Sequence, residues 1–332
     1  MTRRHFRAGR RRFWLAAAGL LAVARAAAQS GKYPSRTVKL IVPSPPGGGP
    51  DIVGRLVAQH LTHRWGQQVI VENISGASMQ IGTLAVVRAA PDGYTLLFSP
   101  PTPITIAENF DPKPPYDARR DLATIALVGR NPALIVIHSQ VKASSLREFI
   151  ALAKAEPGKL FYGSPGQGNS LQLITEIVAT QAGIQLTHVP YKGSGPAVVG
   201  LLAGDVQVLV QSAEAVKEHV KSGRLRALAT LEPTRLEAFP DVPTLAESGL
   251  ENLKVMNWYG AFAPAATPRD IVGLWERELL GLAKDPAFAN RMREMSFDPV
   301  AFGGQDFDRM MAAERPQWTA AIRSAGIPTQ KN

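Results

Sequence analysis

Two glycine-rich segments of the sequence have the residue types needed to bind an anion. The first spans residues 43–50 (PSPPGGGP) and the second spans residues 163–170 (GSPGQGNS). Glycine lets the backbone approach a ligand closely, and the start of a helix presents free N–H groups at the positive end of its dipole. One such segment is often an ordinary turn. Two of them, each between a predicted strand and a predicted helix, predict a shared anion site.

Neutral donors alone could hold such an anion. A hydrogen bond to a charged group contributes about 1.5–3 kcal/mol, and each helix dipole adds about 0.3–1 kcal/mol. Four hydrogen bonds and two dipoles therefore give roughly 7–14 kcal/mol before the cost of binding is subtracted, whereas micromolar affinity requires about 8 kcal/mol. The predicted site thus needs no lysine or arginine clamp to capture a carboxylate and release it again.

The motifs of several other functions are incomplete or missing. Gly166 and Gly168 begin a dinucleotide-binding fingerprint, but Leu171 stands where its third glycine is required. The sequence contains no G-x-x-x-x-G-K-[ST] phosphate loop, no G-x-S-x-G hydrolase elbow and no H-E-x-x-H zinc motif. We therefore expect no cofactor, no metal and no catalysis.

The alternative function is a secreted α/β enzyme that acts on a small organic acid. Such an enzyme would need a nucleophile–base pair or a perturbed carboxylate in its cleft, and the sequence shows no such set of residues. We expect His60 and His63 on a solvated helix surface, structural roles for His138 and His188, and packing of Trp258 and Tyr259 in a returning strand.

The elements that position the two loops follow from the hydrophobic pattern. Short β-rich runs alternate with helical ones from residue 37 to residue 98 and again from residue 146 to residue 228, which favours βαβ units and mainly parallel sheets. A proline-rich loop over 110–120 breaks the rhythm, and Asn131-Pro132 is a suitable crossing point. The sequence predicts two α/β lobes, 33–131 plus 254–332 and 132–253, with ligand-binding residues after the strands.

The net charge of +10 is concentrated at the N-terminus. Residues 1–28 hold seven arginines and no acidic residue, which leaves 30 basic against 27 acidic residues elsewhere. That balance argues against a nucleic-acid partner. The basic stretch, an apolar run and Ala26-Ala27-Ala28 predict a secretory signal peptide that is cleaved near Ala28. Export could follow either the general secretory route or the twin-arginine route. The chain has no cysteine, so we expect neither a disulfide nor a lipid anchor.

Several segments, in this order along the chain, resemble one family, the Bug-type periplasmic receptors of tripartite tricarboxylate transporters. The resemblance extends from Tyr33 to the C-terminal helices. It is carried by Tyr33-Pro34-Ser35-Arg36, by Ile41-Val42-Pro43 with Gly47, Gly48 and Asp51, and by residues 91–97 (PDGYTLL), 189–194 (VPYKGS) and 241–249 (DVPTLAESG).

The resemblance implies a fold and a function. The fold would be α/β and periplasmic-binding-protein-like (type II, Venus flytrap), with two mixed α/β lobes around a ligand cleft. The implied function is to bind a small carboxylate, through backbone N–H groups and ordered water, and to deliver it to a membrane permease. We expect a soluble periplasmic monomer. A ligand-binding component that feeds a sensor kinase remains an alternative.

The expected ligand contacts lie on the two loops and on neighbouring strand ends. Asp51 could instead form a helix pair with Arg55. Bulky residues at Gly48 or Gly168 should abolish binding and leave the fold intact. The full predicted set is Ser44, Pro45, Gly47, Gly48, Asp51, Ala77, Ser78, Ser99, Ser164, Gly166, Gly168, Asn169, Ser170, Tyr191 and Gln211.

Three segments differ from the family pattern. Ser44 stands where an aromatic residue is frequent, Ser78 and Met79 stand at two glycines of the family's G-A-G-G-x-I-G segment, and Gln211-Ser212 stands where an acidic or amide side chain is frequent. An amide at Gln211 would favour an acidic ligand over one with an ammonium group. Dicarboxylates, tricarboxylates, aromatic acids and amino acids all stay open as ligands.

Overall fold

The computed structural model describes residues 33–253 and 255–327, so the predicted signal peptide lies outside the described residues. One six-stranded sheet has the order β11-β4-β10-β3-β1-β2. Strand β1 is parallel to β2 and β3, whereas β10 is antiparallel to β3 and β4. Its strands are β1 (Val38–Val42), β2 (Val69–Asn73), β3 (Thr95–Ser99), β4 (Leu122–Arg130), β10 (Trp258–Pro264) and β11 (Phe302–Gly303).

A second sheet of five strands has the order β7-β6-β8-β5-β9. Strand β6 is parallel to β7 and β8, and β5 is antiparallel to β8 and β9. The strands are β5 (Ala133–His138), β6 (Phe161–Ser164), β7 (Thr187–Pro190), β8 (Val208–Ser212) and β9 (Leu225–Thr230). Both sheets are therefore mixed. Only two residues, Asn131 and Pro132, separate β4 of the first sheet from β5 of the second, and β10 returns the chain to the first sheet.

Helices cover the sheets where apolar residues recur at helical spacing. Those that follow strands of the first sheet are α1 (Gly49–Trp65), α2 (Gln80–Val87) and α3 (Ala118–Asp121). Those of the second sheet are α4 (Leu146–Ala155), α5 (Ser170–Ala182), α6 (Ser194–Ala203) and α7 (Ala213–Lys221). The chain finishes with α8 (Arg269–Lys284), α9 (Pro286–Glu294) and α10 (Gly304–Ser324).

The sequence predicts one helical stretch over 268–295, which the structure divides into α8 and α9. Asp285 separates them, since its carboxylate accepts a hydrogen bond of 2.8 Å from the backbone N–H of Ala287 and so caps α9. The sequence does not predict the π-helical turn Thr102–Ile106 after β3. Prolines at positions 100, 101 and 103 conceal it, because proline is tolerated only in the first turn of a helix.

The C-terminal helix α10 packs on both sheets. Its first half contributes Phe307 and Met311 to a cluster with Trp258 and Phe262 of β10. Its second half contributes Trp318, among other residues, to the main core of the second sheet. The lobe boundaries stay a prediction. Among the described residues, no helix is both long enough and apolar enough to cross a membrane.

Candidate ligand-binding site

The first glycine-rich loop joins β1 to α1. Helix α1 begins at Gly49, and the N-cap residue Gly48 has extended backbone angles (φ −82°). Pro50 occupies the first turn, where its missing N–H costs nothing. Gly47 has a φ of 82°, which lets the loop turn before the helix. The first-turn N–H groups of α1 thus lie at the carboxyl end of β1, as the sequence predicts.

Asp51 holds this loop in shape. Its carboxylate accepts hydrogen bonds of 2.9 Å from the Gly47 N–H and 3.0 Å from the Asn73 side-chain amide, and it pairs with Arg55 at 2.9 Å. Burial would raise the pKa of Asp51, but the hydrogen bonds from Arg55, Gly47 and Asn73 outweigh burial and lower it. The pair with Arg55 is therefore present, and a direct ligand contact by Asp51 stays a prediction.

The second loop joins β6 to α5 and is capped at its end. The Asn169 side chain accepts a hydrogen bond of 2.9 Å from the Leu171 N–H and so caps α5. Gln172, three residues later, does not bond back to the Asn169 N–H, which donates to the Gly166 carbonyl. Its side-chain oxygen accepts a hydrogen bond of 2.6 Å from the Gly168 N–H instead.

Gly168 has no room for a side chain. Its φ is 74°, and a β-carbon there would lie 2.5 Å from the ring of Phe110. The expectation that a bulky residue at Gly168 would leave the fold intact is therefore wrong. Gly48 is different, since a β-carbon would have its nearest neighbours at 3.8 Å.

A neutral histidine supports the second loop from behind. The Ser164 hydroxyl donates to the Gly166 carbonyl at 3.1 Å, so His188 Nε2, which is 2.7 Å from this hydroxyl, must be the donor to it. His188 Nδ1 then accepts from the Gln172 amide at 3.1 Å. Burial lowers the pKa of His188 to about 4, and its ring stacks on Tyr162 at 4.8 Å. The imidazole is thus a structural part of the second lobe, as predicted.

Both helix starts rest on the segments that connect the sheets. The Ser170 hydroxyl at the start of α5 donates to the Asn257 side chain at 3.3 Å. The Asn257 carbonyl accepts a 2.7 Å hydrogen bond from the Asn131 N–H. The Asn131 side-chain amide donates to the Tyr259 hydroxyl at 2.6 Å, and this hydroxyl lies against Gly49 at the start of α1. The two predicted loops are therefore brought together at the crossing strands.

A third loop, between β2 and α2, also reaches the second lobe. The Ser78 hydroxyl lies 3.5 Å from the Gln167 carbonyl, which it can contact as a donor. Ala77, Ser78 and Met79 have φ values of 45°, 51° and 75°, although none of them is glycine. At Ser78 and Met79, glycine would adopt this left-handed conformation more easily. Ala77 and Ser78 are exposed and lie next to the second loop.

Five side chains near these strand ends have a buried polar atom without a hydrogen-bond partner in the described part of the chain. Most buried polar atoms in proteins are hydrogen-bonded, so such a group of atoms is suited to bind a polar ligand. The atoms are Ser44 Oγ, Thr102 Oγ1, Asn131 Oδ1, Gln211 Nε2 and Glu214 Oε2.

Two predicted contacts are placed differently. Ser99 is fully buried, and its hydroxyl donates to the Pro100 carbonyl at 3.0 Å. The Tyr191 ring packs on Gly163 and Gly200 in the core of the second sheet, although its N–H donates to the Ser164 carbonyl at 2.9 Å. Pro45 is exposed on the first loop. The ligand-contact role of each of these residues stays a prediction.

Sequence reasoning missed Asn131, Asn257 and Glu214 as site residues. Asn131 was predicted only as a crossing point, and Trp258 and Tyr259 only as packing residues. Both aromatic rings are indeed buried, but the Tyr259 hydroxyl also contacts both helix α1 and Asn131. The one available signal was the asparagine next to Pro132, where two strands of different sheets meet. Among the described residues, no group of three or more His, Cys, Asp or Glu side chains could hold a metal ion.

Comparison with known proteins agrees with this geometry. The model of the "Tripartite tricarboxylate transporter family receptor" matches residues 53–327. Protein BugT of Bordetella pertussis is 36% identical over 295 residues, which cover 89% of this chain and 90% of that protein.

Two solved structures from Rhodopseudomonas palustris have the same fold. Rpa4515 with adipate is 30% identical with a TM-score of 0.83, and the match covers 89% of this chain and 99% of that one. MatC (Rpa3494) with bound malate is 26% identical with a TM-score of 0.78, and the match covers 87% and 100% of the two chains. The expected two-lobed, periplasmic-binding-protein-like α/β fold is confirmed, and the relatives are receptors rather than enzymes. The chain belongs to the receptor family of the tripartite tricarboxylate transporters.

Proposed function

We propose that this chain is an extracytoplasmic receptor that binds a small carboxylate between its two lobes and delivers it to a tripartite tricarboxylate-type membrane permease. The observation that carries the proposal is the meeting of two helix starts, at Gly49 and Ser170, on the crossing residues Asn131, Asn257 and Tyr259. Each helix start offers N–H groups and a positive dipole end to one anion.

The printed ligands of the structural relatives support this proposal. Adipate and malate, which are bound in Rpa4515 and MatC, are both small carboxylates. In the described loops 43–50 and 163–170 no lysine or arginine occurs, so neutral donors would supply the binding energy. The predicted contact residues on these loops, together with Gln211, are proposed to line the cleft.

The lobes 33–131 plus 254–332 and 132–253 would close on the ligand about the crossing segments. The permease would recognise the closed state, so the ligand acts by shifting the population towards that state. Residues 1–28 would direct export to the periplasm, where the mature chain acts as a soluble monomer without a lipid anchor.

Native mass spectrometry of the freshly purified mature protein tests the proposal directly. A retained carboxylic acid, released by denaturation and identified by its mass, is the expected result. Adding that acid back should raise the melting temperature, since a ligand at a hundredfold excess over its Kd stabilises the folded state by about 2.7 kcal/mol.

A matched pair of variants distinguishes the cleft from the rest of the surface. Gly48→Leu should remove binding and keep the fold, because a β-carbon at this position meets nothing closer than 3.8 Å. Gly273→Leu on α8 should bind as the wild type does, because its nearest neighbour is the flexible Arg277 side chain at 3.6 Å. Unchanged affinity in Gly48→Leu, or turnover of the acid by the wild type, would contradict the proposal.

Co-purification separates transport from sensing. If membranes are solubilised from cells that contain the tagged receptor, we expect a permease subunit in the eluate. Recovery of a sensor kinase instead would favour the alternative role.

A further inference from the structure

One carboxylate of the protein itself lies beside the proposed ligand site. Glu214 is in the first turn of α7, directly after Ala213, whose N–H donates to the Pro132 carbonyl at 2.8 Å. Helix α7 therefore begins at the crossing between the sheets. The side chain of Glu214 is half-buried, and its buried Oε2 atom has no hydrogen-bond partner among the described residues.

The Glu214 carboxylate lies close enough to the Tyr259 hydroxyl, which touches the start of helix α1, for its negative charge to act on that hydroxyl. The pKa of the Tyr259 hydroxyl is raised well above its ordinary value, first by burial and then by the negative charge of Glu214. The same hydroxyl accepts from Asn131 and lies against Gly49. Glu214, from the second lobe, is thus electrostatically coupled to a group that touches the anion-binding end of α1.

Nothing nearby offsets the charge of Glu214. Burial raises the pKa of Glu214 above its ordinary value, and among the described residues no lysine or arginine forms an ion pair with its carboxylate. Lys217, on the same helix, donates to the Glu294 carbonyl at 3.4 Å instead. A partly buried carboxylate without a cation favours a partner that brings a positive charge or a hydrogen-bond donor.

We infer that Glu214 sets the charge of the ligand: the site takes a molecule with one carboxylate and, at its opposite end, a hydrogen-bond donor, best an ammonium group, and it disfavours dicarboxylates. The inference rests on the proposed carboxylate-binding function and specifies it. The ligand carboxylate would bind the helix starts, and its other end would reach Glu214 Oε2.

Glu214 therefore favours a different ligand charge from the one that Gln211 favours. The amide at Gln211 alone would favour an acidic ligand. Its unpartnered Nε2 group can donate a hydrogen bond, but it carries no positive charge that would offset Glu214. A second ligand carboxylate would place two negative charges together in a site that lacks a cation, and such like-charge contacts weaken binding strongly. Glu214 thus works as a specificity-determining residue through repulsion as well as attraction.

Matched ligand sets test this assignment. Isothermal titration calorimetry at pH 8 compares the mono-acid, the amino acid and the diacid on three scaffolds. These are butyrate, 4-aminobutyrate and succinate; hexanoate, 6-aminohexanoate and adipate; benzoate, 4-(aminomethyl)benzoate and terephthalate. The proteins are the wild type, Glu214→Gln and the control Glu218→Gln, which removes a charge from the exposed side of the same helix.

On the scaffold that fits, the wild type should bind the amino acid on the order of tenfold or more tighter than the diacid. Glu214→Gln should bring this ratio close to one or invert it, whereas Glu218→Gln should keep it. A wild-type protein that prefers the diacid, or a ratio unchanged in Glu214→Gln, would overturn the inference and leave the carboxylate receptor intact. Binding of none of the nine compounds would overturn the inference, and the acid retained in native mass spectrometry would then decide whether the chain is a carboxylate receptor.

Discussion

The phenolic hydroxyl group of Tyr259 fills the space that a β-carbon on Gly49 would need. Gly49 is the first residue of α1, and its φ is not among the positive values of the chain. Glycine is therefore required at this position because the Tyr259 hydroxyl lies so close to its backbone, and not because of an unusual backbone angle. The contact holds the start of α1 against the strand β10, which returns to the first sheet.

Gly49→Ala should consequently destabilise the protein and weaken ligand binding. The added methyl group overlaps the Tyr259 hydroxyl and lies 3.3 Å from the Asn131 amide, and overpacking of this kind costs about 1–3 kcal/mol. Urea denaturation and carboxylate titration measure the two effects. Gly48→Ala is the control for stability, since its β-carbon meets no atom closer than 3.8 Å. Equal stability of the two variants would show that the Tyr259 contact is unimportant.

In the left-handed turn over residues 77–79, a substitution by glycine should increase the stability of the protein. Ala77 is exposed and has a φ of 45°, a conformation that costs a residue with a β-carbon roughly 1–2 kcal/mol. Ala77→Gly removes this cost but adds backbone entropy to the unfolded chain, which offsets part of the gain. We expect a net increase of up to about 1 kcal/mol in the free energy of unfolding.

The same substitution inside a helix provides the comparison. Ala85 is exposed in the middle of α2, so Ala85→Gly should lower the free energy of unfolding by about 1 kcal/mol. Chemical denaturation of both variants is sufficient. A loss of stability in Ala77→Gly as large as in Ala85→Gly would mean that the turn does not strain its residues.

The sequence predicts the elements of this fold well because each of them is local. Short apolar runs mark β1, β3 and β8, and helical spacing marks α4 and α7. The cap at Asn169 follows from an asparagine directly before a helical segment. The two loops could likewise be predicted, since two glycine-rich segments, each between a strand and a helix, are more informative than one, which is often an ordinary turn.

The contacts that assemble the site could not be predicted in this way. Asn131 and Tyr259 are separated by 128 positions, and nothing in either neighbourhood indicates that an amide and a phenol meet. Glu214 has the sequence context of an ordinary charged residue in the first turn of a helix. Only the crossing of the chain between the sheets brings these three residues to the start of α1.

Glu314 should make the stability of the protein depend on pH. It is 1% exposed in α10 and accepts hydrogen bonds from Trp258 at 3.0 Å and Thr105 at 3.1 Å. Burial raises its pKa to about 7, from an ordinary value of 4.5. The folded protein therefore keeps a proton that the unfolded chain has lost, so the contribution of Glu314 to stability is complete below pH 4.5 and falls as the pH rises towards 7.

The expected loss is on the order of 3 kcal/mol across that range. Glu314→Gln keeps the acceptor oxygen without the titration, so its free energy of unfolding should fall less than that of the wild type between pH 5 and pH 8. Urea denaturation at both pH values measures the difference. Glu294→Gln, at an exposed position on α9, is the control and should follow the wild type. Parallel curves for Glu314→Gln and the wild type would contradict the assignment.

His188 acts in the opposite direction over nearly the same range of pH. Burial lowers its pKa to about 4 from 6.5, so the unfolded chain binds a proton before the folded protein does. The contribution of His188 to stability is therefore complete above pH 6.5 and is lost as the pH falls towards 4.

Between about pH 4.5 and 6.5 the two groups offset each other, and the wild-type profile should be flatter there than that of either variant. His188→Asn should leave only the Glu314 effect, so that stability falls with rising pH, and Glu314→Gln should leave only the His188 effect, so that it rises. His63→Asn, at an exposed position on α1, should keep the wild-type profile. The free energy of unfolding should thus change with pH in opposite directions in the two variants. A change in the same direction in both would contradict at least one assignment, and an NMR titration of the His188 ring would identify which.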